Sequence, residues 1–251
     1  MNVWIIQVGE PLPIDTKPRL MRNGLLAEYL TSKGHKVTWW TSTYEHGQKK
    51  ERFEKDTILP IFESNNKIIL LKAKTTYKKN VSLKRIIFNR QTAQKFTRMA
   101  SKYEKPDIIF CSYPPIELAH AAVKYGKKNK VPVIVDVLDL WPDIFKRAFP
   151  QKLKFLSFFV DIIYGRMVKK TFSDAYAITG IVPFHLRWGI NKAKRTATDR
   201  DRYFYISYKQ IKLTPTELFT ELKKWQEMGI TKNTWNICFF GTMSDLSMDM
   251  E

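Results

Sequence analysis

The strongest constraint on this chain is a regular alternation. Short, almost unbroken apolar runs are separated by amphipathic stretches of roughly ten residues or more. Val3 to Val8 (VWIIQV) is such a run, closed by Gly9; Lys36 to Ser42 (KVTWWTS), Lys67 to Lys72 (KIILLK), Asp107 to Ser112 (DIIFCS), Val131 to Val137 (VPVIVDV) and Ala175 to Thr179 are others. Between them, Leu20 to Lys33 puts Leu20, Leu25, Leu26, Tyr29 and Leu30 near one helical face, with Gly34 as C-cap. Ser82 to Tyr103, Ile116 to Asn129 and Leu153 to Phe172 read as further helices, and Pro183 to Trp188 as a helical turn. Tyr44 to Asn66 shows no assignable pattern. Strands joined through helices make a mostly parallel sheet with right-handed crossovers, covered on both faces, which accounts for the solid Ile/Val runs. The predicted fold class is α/β, a Rossmann-like doubly wound sheet.

The last part of the chain reads differently. Residues 189–212 are polar, basic and loop-like; Thr216 to Met228 is a helix capped by Thr214 or Thr216. Trp235 to Phe240 (WNICFF) reads as one more buried strand, ended by Gly241, with ten residues after it. A strand without its helix and neighbours cannot bury both faces. This predicts a main domain over 1–212, and over 213–251 a linker helix with the first strand of an incomplete second domain.

Charge narrows the choice of partners. There are 43 Lys and Arg against 24 Asp and Glu, a formal net charge of +19. Such an excess favours anionic partners, with solvated lysines on a Lys-rich surface as the lesser alternative. Nucleic acid is not the expected partner, because no recognition motif and no basic stripe with interleaved aromatics is present. Cys111 and Cys238 lie far apart inside apolar runs and read as small core residues. The amino terminus lacks the pattern of a signal peptide, and no stretch reaches the roughly 18 apolar residues of a membrane span. A cytoplasmic protein peripheral to the membrane is expected.

In open parallel sheets, ligands bind beyond the carboxyl ends of the strands. That rule selects Gly9 and Glu10, Ser42 and Thr43, Ser112 and Tyr113 with Pro114 and Pro115, the segment from Asp136 to Asp143, and Thr179-Gly180. The first loop adds Asp15, Lys17, Arg19 and Arg22; guanidinium groups beside a helix N-terminus make a receptor for phosphate or sugar hydroxyls. In VIVDVLDLWPD (133–143), Trp141 and Pro142 shape the exit. A carboxylate there can accept a proton from a hydroxyl nucleophile or hold a sugar. Asp136 reads as structural, capping the strand or pairing with a core arginine, and Asp139 as functional. Glu117 reads as a residue of a helix first turn. His35, His46, His120 and His185 are scattered, without metal-ligand spacing, so no metal is expected.

Two segments suit a surface. Tyr77 to Arg85 (YKKNVSLKR) is basic, and Lys146 to Lys170 mixes Phe149, Phe155, Phe158, Ile162 and Ile163 with Lys146, Arg147, Lys154, Arg166 and Lys170. Basic flanks around an apolar face fit a helix lying in an anionic lipid interface, and they fit equally a core helix with solvated lysines.

Taken together, GEPLP at 9–13, PRLMRNGLLAEYLTSKGHKVTWWTS at 18–42, KPDIIFCSYPP at 105–115 and VIVDVLDLWPD at 133–143 resemble family 4 glycosyltransferases, specifically those of O-antigen, capsule and exopolysaccharide assembly. WNICFFGTMS at 235–244 is similar to the segment that opens the second domain in that family. The resemblance implies the GT-B architecture, with an acceptor-binding first domain facing a nucleotide-sugar-binding second one. It also implies retention of anomeric configuration, no essential metal or other cofactor, a nucleotide-sugar donor as co-substrate, and a polyprenyl-diphosphate-linked or saccharide acceptor.

Carried over by position, Gly9, Glu10, Arg19, Arg22, Ser112, Tyr113 and Trp141 would line the cleft near acceptor and donor phosphate. Asp139 would stand beside the acceptor hydroxyl, and Gly241 and Thr242 would be donor-side contacts. Leu138 stands near the place of the family's usual histidine. The family's E-x7-E element and its donor-binding arginine and lysine have no counterpart before Glu251. The expectation is therefore an acceptor-binding half that transfers no sugar alone, with a separate donor-domain chain as one possible partner. The competing expectation is a non-catalytic, membrane-recruiting, acceptor-binding subunit of a split transferase.

Overall fold

The structure, a computed structural model, describes residues 1–15, 19–62, 65–144, 157–210, 212–231 and 233–237. The chain divides into two compact units, Met1–Tyr208 and Lys209–Glu251.

In the first unit the strands are β1 (Asn2–Ile6), β2 (Lys36–Ser42), β3 (Tyr44–Glu45), β4 (Lys50–Glu51), β5 (Thr57–Pro60), β6 (Lys67–Leu71), β7 (Ile108–Tyr113), β8 (Val133–Val137), β9 (Ala177–Gly180) and β10 (Arg202–Tyr203). The helices are α1 (Arg22–Ser32), α2 (Leu83–Ala100), α3 (Ile116–Asn129), α4 (Ser157–Ser173) and α5 (Pro183–Ala193). Eight strands form one sheet in the order β10-β9-β8-β7-β1-β2-β6-β5. Every pairing is parallel except that of β5 with β6. From β1 the chain moves outward to β2 on one side and later returns to β7 on the other, so the topological switch point lies between β1 and β7. This is the Rossmann-like, doubly wound sheet that the alternation predicts.

Period-2 alternation divides the core. Val3, Ile5, Val37, Trp39, Ile68 and Leu70 face α1, with Ala27 and Leu12, on one side. Trp4, Ile6, Trp40, Ile69, Val133 and Val135 face the other side, where Phe96, Ala119, Val168 and Ile190 of α2 to α5 cover them. Trp40 and Phe96 pack edge to face with centroids 5.2 Å apart, and Trp4 stacks on Tyr125 at 5.1 Å. A truncation such as Trp40→Ala removes a fully buried aromatic and costs about 3–5 kcal/mol. Cys111 is buried in this core, which pushes its thiol pKa up.

Several elements depart from the sequence reading. The helix read over Leu20 to Lys33 buries Asn23, Gly24 and Ala27 rather than its larger apolar residues. Small side chains let α1 approach the sheet closely, and Tyr29 lies exposed with Lys33 over its ring. The unassigned stretch contains a β3–β4 hairpin and the antiparallel edge strand β5. The turn read over Pro183 to Trp188 continues to Ala193, and residues 189–212, read as loop, also hold β10.

In the second unit, helix α6 (Pro215–Glu227) begins at a capping box in which Thr214 and Glu217 bond reciprocally. Of the strand read at Trp235 to Phe240, the first three residues pair with no strand. Trp235 and Ile237 are fully exposed. Cys238, Gly241 and Thr242 lie outside the described residues, as does the basic-aromatic segment from Lys146 to Leu156.

Candidate functional site

Two strand ends and the start of a helix meet at the switch point. The chain leaves β1 through Gln7 and Val8 and turns at Gly9, whose φ of +109° lies where only glycine sits without strain. That turn carries Glu10 over the end of β7. The amide N–H and side-chain Nδ2 of Asn23 donate to Glu10 Oε2 and Oε1 at 3.0 and 2.8 Å. Ser112 Oγ, at the end of β7, donates to Asn23 Oδ1 at 3.1 Å. Burial raises the Glu10 pKa, opposed by the bonds from Asn23. Asn23 is completely buried and was not singled out in the sequence; its place just inside the first helix was the available signal.

Beside this group, Arg22 forms a bidentate pair with Asp136 at the end of β8: Nε to Oδ2 at 2.7 Å and Nη2 to Oδ1 at 3.0 Å. Asp136 also accepts from Thr179 Oγ1 at 2.5 Å, and Arg22 Nη1 donates to the Phe204 carbonyl at 2.7 Å. Asp136 thus has the structural partnership with an arginine read for it. Arg22 is held at the strand ends, with its fork directed at protein acceptors. Arg19 is exposed on the approach to α1, and Lys17 lies outside the described residues. Asp15 is bound to Arg52 at 2.6 and 2.8 Å and to the Leu12 N–H.

Asp139 stands one turn past β8. Oδ1 accepts the Leu140 N–H at 2.9 Å and Oδ2 accepts the Trp141 indole N–H at 3.0 Å, which fixes the carboxylate against the indole edge. Tyr113 is entirely buried: its hydroxyl donates to the Trp141 carbonyl at 2.5 Å and its ring packs on Phe172 and Trp188. It supports Trp141 from below rather than lining an open cleft.

Three further groups gather around Asp139 and Trp141. Arg85 lies over the Trp141 ring, 4.4 Å from its centroid. Glu117 Oε1 accepts from the Tyr164 hydroxyl at 2.8 Å, and burial raises the Glu117 carboxyl pKa. His185 opens α5, with Nδ1 buried and unpartnered; burial lowers its pKa, against the pull of Asp139 and Asp136. The sequence signal for His185 is its place in the helix that follows the strand end Thr179-Gly180. Among the described residues no group of His, Cys, Asp and Glu is placed to hold a metal ion, and no helix is long and apolar enough to cross a membrane.

No protein-family model matches the chain, and no curated protein matches it in sequence. Solved structures do. The catalytic domain of starch synthase IV from Arabidopsis thaliana, bound to ADP and acarbose, superposes with a TM-score of 0.53 at 11% identity, over 93% of this chain and 60% of that one. Arabidopsis thaliana UGT89C1 complexed with UDP gives 0.43 at 13% identity, over 89% of this chain and 56% of that one. The likeness is one of fold. The first of these shares the Rossmann-like α/β fold of this chain, and the chain spans less than two thirds of either protein's length.

Proposed function

We propose that this chain supplies the acceptor side of a retaining, family-4-like glycosyltransferase of bacterial surface-polysaccharide assembly. A nucleotide-sugar is the donor and a lipid-linked or saccharide chain the acceptor. The observation that carries the reading is the convergence of Glu10, Asn23, Ser112, Arg22, Asp136 and Asp139 at the carboxyl ends of β1, β7 and β8, across the switch point of a sheet whose fold is shared with a domain bound to both a nucleotide and a saccharide. In this reading Asp139, held by Trp141, receives the acceptor hydroxyl, while Gly9 and Arg19 line the approach of the phosphates. Gly241 and Thr242 belong to the donor side, residues 213–251 to its start, and no metal takes part.

Exposed apolar side chains support a membrane-peripheral site. Phe158, Ile162 and Ile163 of α4 are 65%, 58% and 64% exposed, beside Arg166 and Lys170. Calorimetric titration of the full chain with a water-soluble oligosaccharide diphosphate, and separately with nucleotide-sugars, tests the reading. Saccharide binding that a chelator leaves unchanged and Asp139→Asn weakens is the expected result. Tight nucleotide-sugar binding with no saccharide binding would overturn the acceptor assignment.

A further inference from the structure

Arg85 stands where a cation is disfavoured twice over. It lies in the first turn of α2, which carries no acidic residue, so the helix dipole acts against its charge, and burial lowers its pKa as well. An arginine kept where local rules argue against it is one whose chemistry is used.

Its surroundings hold it in one orientation. The guanidinium meets two aromatic rings, 4.4 Å from the Trp141 centroid and 5.4 Å from that of Tyr77. Nη1 donates to the Asn80 carbonyl at 2.8 Å, and the group also donates to the Tyr77 hydroxyl. Asp139 and Glu117 are the carboxylates that act on it through space. Tyr77 is itself held. It is buried, with its ring centroid 4.8 Å from that of Tyr44 and 5.1 Å from that of Phe88. Its carbonyl accepts the Tyr44 hydroxyl. Its own hydroxyl lies 2.7 Å from His46 Nδ1, which Lys49 Nζ approaches at 3.2 Å.

From Arg85 the contacts run on to the site. Trp141 is fixed at its backbone, where the Tyr113 hydroxyl donates to its carbonyl at 2.5 Å. That bond fixes the main chain and not the ring. The indole N–H donates to Asp139 Oδ2 at 3.0 Å, so the carboxylate is oriented only as well as the indole is. The guanidinium over the ring acts on the indole directly, and its flat shape stacks as a lysine ammonium does not.

We infer that Arg85 is a positioning residue of this site: by stacking on Trp141 it sets the indole, and through the indole N–H it sets the Asp139 carboxylate. The packed rings of Tyr44, Tyr77 and Phe88 are the support from which that setting is made. The inference rests on the acceptor reading for what Asp139 holds, while the coupling of Arg85 to Asp139 stands on the contacts themselves.

The test has two arms, both on the full chain. In the first, the Trp141 indole N–H is followed by proton–nitrogen correlation NMR and assigned by its loss in Trp141→Phe. Asp139→Asn should move the signal upfield, because the charged acceptor is gone. Arg85→Met, which keeps an apolar stem, should move it the same way while the other indole signals stay in place. Tyr77→Phe, one link farther back, should give a smaller shift in the same direction. Arg85→Lys keeps the charge without the plane and should restore the signal only in part. In the second arm, the oligosaccharide diphosphate is titrated in a double-mutant cycle. Arg85→Met should weaken binding about fivefold alone and less than about twofold in the Asp139→Asn background, because it acts through that carboxylate.

A Trp141 signal that Arg85→Met leaves in place would overturn the inference, and so would full recovery by Arg85→Lys, which would make charge alone the cause. Losses that simply add in the cycle would also overturn it, since Arg85 would then act on the ligand independently of Asp139. If the indole signal responds as expected but the oligosaccharide does not bind the wild type, the acceptor reading falls and the positioning of Asp139 stands.

Discussion

Arg22, in the first turn of α1, reaches across the sheet's switch point to form a two-bond ion pair with Asp136, a carboxylate with no solvent exposure at the end of β8. Such a pair is weak evidence for net stability, because the desolvation of both charges opposes their attraction; removal of one partner is nonetheless severe. Arg22→Ala leaves Asp136 buried with Thr179 as its remaining side-chain donor and should cost about 3–5 kcal/mol, read as a lowered urea midpoint at unchanged slope. Arg22→Met combined with Asp136→Leu should recover most of that loss. If the double variant is as unstable as the single one, packing rather than charge governs the site.

Asp139 is a different kind of carboxylate, bound by one backbone and one indole donor at the lip of the site. Asp139→Asn removes the charge, and its amide can offer only one acceptor oxygen to the two donors. A hydrogen bond from a ligand hydroxyl to a charged group contributes about 1.5–3 kcal/mol. Oligosaccharide binding should therefore fall by roughly tenfold or more, with the thermal midpoint within a few degrees of wild type. A large fall in midpoint with unaltered affinity would make Asp139 a brace for Trp141 and nothing else.

His46 gives a pH signature. Burial, reinforced by Lys49 and Arg85, brings its pKa down from 6.5 to about 4. Between those values the unfolded chain takes up the proton before the folded one, so this contribution to stability is complete above pH 6.5 and is lost as pH falls through 4. For a half-exposed ring the amount is on the order of 1 kcal/mol after allowance for screening. Glu10 and Glu117, raised by burial, act with the opposite sign, favouring the folded state below their unfolded value and losing that as pH rises. The measurement is thus the difference between wild type and His46→Gln in chemical denaturation from pH 7 to 4. The variant should lose less stability over that range; parallel curves would show that His46 titrates normally.

What the sequence made legible follows from what leaves a local trace. β1, β2, β6, β7 and β8 are buried on both faces, so each is an apolar run with no periodicity to misread. β10, two exposed residues at the sheet edge, has no such run. The helix α5 runs on past Trp188 through Gly189 to Ala193. In the fold that glycine lets the helix lie against Ile178 and Val137, where an added Cβ would come within 2.9 and 3.2 Å. The strand-end rule located Glu10, Ser112 and Asp139 but could not separate Arg85 from the lysines of YKKNVSLKR. What distinguishes Arg85 is the pair of aromatic rings on either side of it, and these come from Tyr77 and from Trp141, 56 positions along the chain.

Two helical glycines should respond to the same substitution with opposite signs. Gly126, in the last turn of α3, sits where a Cβ would come within 2.2 Å of Val133 Cγ2 and 2.7 Å of the Val131 carbonyl oxygen. Val133 is buried in β8 and β-branched, so it has no rotamer to retreat into, and the carbonyl belongs to the backbone entering the strand. Gly126→Ala should destabilise by about 1–3 kcal/mol despite the better helix propensity of alanine. Gly165, within α4, has nothing within 4 Å of the same position, so Gly165→Ala should stabilise by about 0.5–1 kcal/mol. Equilibrium denaturation of both variants checks the packing of α3 on β8 directly. If Gly126→Ala were neutral, α3 would have to stand farther from the sheet than described, and the placement of Glu117 in its first turn, beside Tyr164, would need revision with it.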